Sequence, residues 1–386
     1  MKVEVGFQEL KTALDFANSV LSDKSVDEKT KNVIFFCTSE GVTVLARNAF
    51  IFSRTPVNNA VTEGVDPEDE WRFQLKANEL NKIISAYSTL NRTKVENVTF
   101  EESGVRVKVI MHEVAKEDGD SRLNRDSSFE LENAPITDVV SKELHQSFPE
   151  DVSGLSSQEI MLYIDSLLPL MSNDSATTMA SKLNFASDYV FVISSHRSAF
   201  FKNRLPDELK GLCLNYSSVS FIKKMCDSSE MLSISRLDKY LCVEAVESGT
   251  QAFMRHNPVK INYNSYITML SKDNGIVIDR LYFRDVLRRM GILASDGIIE
   301  VCEGDELLVQ NEKFEQTVPL EKKKGDTTGI KFKVSIPLME ELIMGSDNVF
   351  SDPLYVYFVP KASSYMLYVL DKRGIWFTNA KVMSAT

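Results

Sequence analysis

One pattern recurs along this sequence and restricts its fold more than any other feature: a short amphipathic helix followed by three short runs of period two. The clearest copy runs from Asp279 to Glu321. Asp279 suits an N-cap, and Tyr282, Phe283, Val286, Leu287, Met290 and Leu293 fall on one side of a 3.6-residue wheel, which predicts that they are buried. Arg280, Arg284 and Arg288 follow at i, i+4 and i+8 and are expected to form a stripe on the face the core leaves free. After Gly291 the period changes to two. Residues 298–301, 307–309 and 314–320 read as strands, parted by the turn signals Ser295-Asp296-Gly297, Glu303-Gly304-Asp305 and Asn311-Glu312-Lys313. The unit is a helix laid across an antiparallel sheet.

The same plan starts five more times. Helices are expected in FQELKTALDFANSVL (Phe7 onward), ANELNKIISAYSTL (Ala77 onward), SSQEIMLYIDSLLPLM (Ser156 onward), SSVSFIKKMCD (Ser217 onward) and SIPLMEELIMG (Ser335 onward), each followed by apolar or alternating runs. Six βαβββ copies, paired two by two, predict an α+β protein of three domains at 1–135, 153–272 and 273–386, with a polar linker at 136–152. A chain of 386 residues is too long for one core, which agrees with that division. The helices are expected on the inside and the sheets outside.

Composition closes off other classes. Apolar residues make up 43% of the chain and charged residues 26%, as in a soluble globular protein, and neither a membrane-spanning run nor a signal-peptide pattern is seen, so a cytoplasmic location is expected. The five cysteines show no CxxC spacing and read as reduced core residues. The four histidines, His112, His145, His196 and His256, have no metal-ligand spacing. No P-loop, GxGxxG or activated nucleophile is present, so no enzyme activity, cofactor or metal is expected. A net charge of −11 argues against a protein coated with nucleic acid, but a local basic lining with an acidic exterior satisfies both the sum and a DNA-facing role.

Three segments give the pattern a family likeness. Ile193-Ser194-Ser195-His196-Arg197-Ser198-Ala199, Asn264-Ser265-Tyr266-Ile267-Thr268-Met269-Leu270 and Thr43-Val44-Leu45-Ala46-Arg47-Asn48, together with the six-copy plan, resemble the bacterial-type DNA polymerase sliding clamp, the β-clamp family, over nearly the whole length. The departures cluster in one place. Ser194-Ser195 stands where the family has Asp-Gly, Ser198 where it has a pocket Leu, Ser271 where it has Pro, and the final KVMSAT stands where the family has Met-Pro-Met-Arg-Leu. The resemblance therefore implies a divergent clamp, with a phage among its candidate sources and a host cytoplasm as the location in that case.

The resemblance further implies a processivity factor that closes head to tail as a homodimer, encircles double-stranded DNA without reading sequence, and tethers a DNA polymerase after a clamp loader has opened it. Its DNA-facing residues would be Arg280, Arg284, Arg288, Lys223, Lys224, Lys82 and Lys11, and its partner-peptide groove would include His196, Arg197, Leu270, Ser271 and Phe377. For an arbitrary protein, solvated helix faces are the plainer account of those cations. Acidic residues on two other helices, Glu159 and Asp165, and Glu340 and Glu341, predict a patchy lining. Lys322-Lys323-Lys324 reads as an exposed loop. Two alternatives remain at this level: a clamp-fold electrostatic DNA holder or transcription coactivator without a closed ring, and a protein scaffold that never meets DNA.

Overall fold

The computed structural model describes residues 1–21, 31–66, 70–91, 93–116, 124–134, 136, 146–172, 182–194, 197–270, 272–344, 353–361, 364–370 and 374–382. Its elements repeat as the sequence predicts. The first copy is β1 (Lys2–Gly6), α1 (Phe7–Val20), β2 (Asn32–Thr38), β3 (Gly41–Arg47) and β4 (Ile51–Val57), with a short β5 (Val61–Glu63). The second is β6 (Trp71–Lys76), α2 (Ala77–Ser88), β7 (Thr93–Ser103), β8 (Arg106–Ala115) and β9 (Arg125–Glu132). The third is β10 (Ser153–Ser156), α3 (Ser157–Leu167), β11 (Leu183–Phe185), β12 (Tyr189–Ile193) and β13 (Arg197–Lys202). The fourth is β14 (Leu212–Leu214), α4 (Tyr216–Ser228), β15 (Met231–Arg236), β16 (Tyr240–Ala245) and β17 (Thr250–Arg255), trailed by β18 (Asn257–Pro258) and a short helix α5 (Asn264–Thr268). The fifth is β19 (Gly275–Ile278), α6 (Arg280–Gly291), β20 (Asp296–Val301), β21 (Glu306–Asn311) and β22 (Phe314–Lys324). The sixth is β23 (Lys331–Ser335), α7 (Ile336–Met344), β24 (Leu354–Lys361), β25 (Ser364–Leu370) and β26 (Gly374–Val382).

The chain divides into two compact units, one of Met1–Met161, Pro206–Leu209 and Ser217–His256, the other of Leu162–Leu205, Lys210–Tyr216 and Asn257–Thr386. The first unit holds a five-stranded sheet, β5-β1-β7-β8-β9, and an eight-stranded sheet, β10-β15-β16-β17-β4-β3-β2-β6. Helix α1 ends its apolar face there, burying Phe7, Leu10, Ala13, Leu14, Phe16, Ala17 and Val20. Alternation along the strands sends Phe35, Phe73 and Phe100 inward, where their ring centroids lie 4.7 to 5.4 Å apart. The second unit holds a 13-stranded sheet, β18-β14-β11-β12-β13-β26-β23-β20-β21-β22-β19-β24-β25, in which β25 also pairs with β26.

The eight-stranded and 13-stranded sheets each contain one junction between non-consecutive copies. Strand β4 pairs with β17, placing Phe52 opposite Phe253 and Arg54 opposite Gln251. The pairing continues into the side chains: Arg54 Nε donates to Gln251 Oε1 at 2.6 Å, and the two Phe rings lie 6.0 Å apart. Strand β13 pairs with β26 in the same antiparallel sense, with Ala199 opposite Trp376.

Several expectations need correction. Tyr282 and Leu293, predicted inward, are 39% and 48% exposed. They sit about 100° and 80° from Phe283 on the wheel, at the rim of the buried arc rather than inside it. Lys322-Lys323-Lys324 is not a loop, because β22 extends through it against β19, and Lys323 Nζ donates to the carbonyls of Cys302 and Glu303 at 2.7 and 3.0 Å. The fifth copy also opens with a strand, β19, that periodicity does not reveal, since Gly275–Ile278 is buried on both faces and carries no alternation.

Candidate nucleic-acid interface

Helix α6 starts where the sequence places it. Asp279 caps it, its Oδ1 accepting from the Tyr282 backbone N–H at 2.8 Å, and Phe283, Val286, Leu287 and Met290 are fully buried. The three arginines do not form a straight exposed stripe. A helix turns about 100° per residue, so each i+4 step advances the stripe by about 40°. Arg280 therefore starts beside Leu287 on the buried arc and is only 9% exposed. The Arg284 side chain is 22% exposed and the Arg288 side chain 54% exposed, which follows the drift outward. Arg284 Nε lies 3.3 Å from Asp285, and Arg288 Nε donates to Glu340 of α7 at 2.6 Å. Arg289, which sequence reasoning passed over, is exposed beside them and donates to the Asp285 carbonyl at 3.2 Å.

The lysines gather in the first unit. Lys11 and Lys82 line one cleft of about 760 Å³ with Asp15, Glu79, Lys31 and Lys76. Across it Asn18 and Asn81 exchange two side-chain amide hydrogen bonds, at 3.0 and 2.7 Å, and tie α1 to α2. Lys223 and Lys224 line a second cleft of about 370 Å³ that shares Asp15 and Phe16 with α1. The Lys224 ammonium lies 5.8 Å from the centre of the Phe16 ring, which leaves its stem against apolar surface and its head at the rim. Lys31 and Lys76 were missed because neither belongs to an amphipathic helix pattern: Lys31 stands just before β2, and Lys76 is the last residue of β6 and the N-cap of α2. This arrangement offers long cations in open polar clefts, which suits exchangeable contacts to phosphate and offers no base-reading geometry.

The expected peptide groove is placed in part. His196 and Ser271 lie outside the described residues, and Arg197 and Phe377 are placed by backbone, on the neighbouring strands β13 and β26. Leu270 packs against a cluster of Phe191, Phe200, Met366 and Tyr368 in the second unit. The connector supplies Tyr263 and Tyr266 to the same cluster, with Tyr263 5.2 Å from Phe191 and Tyr266 5.9 Å from Phe200. Their i, i+3 spacing was the available sequence signal.

Among the described residues no group of three or more His, Cys, Asp or Glu could hold a metal ion, and no helix is long and apolar enough to cross a membrane.

The architecture is that of bacterial DNA polymerase III β sliding clamps. The chain superposes on the Caulobacter crescentus pol III β structure with a TM-score of 0.78 at 12% identity, covering 99% of this chain and 100% of that one. The DNA polymerase sliding clamp of Bacillus subtilis gives 0.76 at 12% identity, covering 99% of each chain. The DNA polymerase III β subunit of Thermotoga maritima gives 0.74 at 14% identity, covering 99% and 100%. No family model matches the sequence, and no curated protein matches it either. The fold is thus a sliding-clamp fold carried by a very different sequence.

Proposed function

We propose that this chain is a DNA polymerase processivity factor, a sliding clamp whose two copies close head to tail around duplex DNA and tether the replicative polymerase. The observation that carries the reading is the clamp fold matched from end to end, with at least 98% of this chain and 99% of each of the other chains superposed. The three-domain division at 1–135, 153–272 and 273–386, with 136–152 as linker, is part of the proposal. The β4–β17 and β13–β26 pairings support it, since each joins a strand of one such domain to the next.

A clamp has to stay on the duplex while moving, so enclosure takes the place of affinity. Weak phosphate contacts from Lys11, Lys82, Lys223, Lys224, Arg284 and Arg288 then guide the DNA, while the chain's net charge of −11 keeps other surfaces from holding it. Arg280 is assigned to the helix interior rather than to DNA. Polymerase and loader would dock through an apolar peptide segment at the region of His196, Arg197, Leu270, Ser271 and Phe377. No chemical step is involved.

The test uses a linear duplex tethered at one end. After loading, the free end is blocked with a bulky end-binding protein or left open, and the DNA is washed in high salt. Encirclement predicts retention on blocked DNA and loss from open DNA. Loss from both, with retention only in low salt, contradicts it and fits the electrostatic holder.

A further inference from the structure

Helices α6 and α7 lie against each other in the second unit, and an ion pair joins them on the solvent side. Helix α7 buries Ile336, Met339 and Ile343, which leaves Glu340 about 40° round the wheel from Ile336, at the rim of the buried arc. From there its half-buried carboxylate accepts from Arg288 Nε at 2.6 Å, a short, charge-assisted contact, while the arginine side chain stays open to solvent. A cation assigned to phosphate therefore already has a carboxylate against it. The other acidic group beside the stripe is set differently. Asp285 follows Arg284 in sequence and lies 3.3 Å from its Nε. Adjacent helical residues do not face each other, so that contact is the weaker of the two.

We propose that Glu340 is a built-in counterion that competes with DNA phosphate for Arg288 and so keeps this contact weak and quickly exchanged. The proposal rests on the DNA-facing reading of Arg288 and adds its regulation. Counting ions gives the physical basis. A guanidinium that moves from water to a DNA phosphate displaces a condensed cation, which contributes about 0.9 to the slope of log affinity against log salt. When Arg288 leaves Glu340 for a phosphate the same cation is displaced, but a bare carboxylate remains in the lining and attracts one back. The net release is small, and so is the gain in affinity. One oxyanion replaces another of similar hydrogen-bonding geometry, so neither end state is strongly preferred. The sequence marks α7 as an acidic interruption of the basic lining, and the contact with Arg288 gives that interruption a task.

The test measures binding of the full-length chain to a short linear duplex by fluorescence anisotropy at several salt concentrations, where phosphate contacts alone hold the complex. Glu340→Gln removes the charge and keeps an oxygen that accepts from Arg288 Nε, so the helix pair is retained. Glu40→Gln, at the exposed turn between β2 and β3, controls for the loss of one negative charge. Glu340→Gln is expected to tighten binding about two- to fivefold at fixed salt, the range spanned by exposed ion pairs. It is also expected to steepen the salt slope by up to about 0.9. Both effects are expected to vanish when Arg288→Ala is added, and Glu40→Gln to produce neither. Tightening no greater than that of Glu40→Gln, or equal tightening in the Arg288→Ala background, overturns the counterion role; a loss of slope in Arg288→Ala alone then leaves the DNA-facing reading standing. If neither Arg288→Ala nor Glu340→Gln changes affinity or slope, Arg288 does not meet DNA and both readings fall.

Discussion

At the scale of single residues, burial separates arginines that sequence spacing treats alike. Arg284 and Arg288 reach the open side of α6, whereas Arg280 is buried against it. Arg284→Ala and Arg288→Ala are each expected to reduce the slope of log affinity against log salt by up to about 0.9 with little effect on folding. Arg280→Ala is expected to do the reverse, lowering stability by roughly 1 to 3 kcal/mol and leaving the salt slope unchanged. Titrations of DNA binding at several salt concentrations, paired with urea unfolding, distinguish the two patterns. The cysteines give a second expectation. Burial pushes the thiols of Cys37 and Cys242 up to about 12 and that of Cys213 up to about 11, so a thiol reagent should find Cys226 and Cys302 in the folded protein and all five only after unfolding. Because folding raises these values above the ordinary 9.0, the stability they contribute is complete below pH 9.0 and is lost as pH rises toward about 12. Cys37→Ala should flatten the alkaline fall in the urea midpoint. The Arg280 assignment was not legible from spacing alone, because the i+4 rule identifies neighbours on a helix and hides the drift that carries a long stripe into the core.

At the scale of elements, caps and edges matter most. The Asp279 cap supplies one of the first-turn N–H partners of α6, and Asp279→Ala should cost about 1 kcal/mol, read as a lower urea midpoint at constant slope. Strand β9 is held from behind by Glu113, a carboxylate only 3% exposed that accepts from Thr93 Oγ1 at 2.9 Å and Ser127 Oγ at 3.1 Å, with Arg125 Nε at 3.7 Å. Glu113→Ala strands two hydroxyls and should cost about 1 to 3 kcal/mol. Most elements were legible, because helix and strand periods alternate cleanly and turns such as Glu303-Gly304-Asp305 mark their limits. The elements missed were short or without a period: β19, whose residues are all buried, β5 with three residues, β10 with four, β18 with two, and α5 with five. The strand pairings were not legible either, since non-consecutive partners such as β4 and β17 leave no local mark.

At the scale of the molecule, six copies of one small motif give the sliding-clamp fold at 12 to 14% identity to the clamps it superposes on. What persists across that divergence is the fold, which hydrophobic patterning can keep while nearly every residue changes. The proposed ring rests on that fold, matched from end to end. Its most direct test is the solution mass by light scattering over a dilution series at moderate salt. A stable dimer, twice the 43.6 kDa of one chain and unchanged on dilution, is the predicted result. A mass of one chain at every concentration would contradict the closed ring.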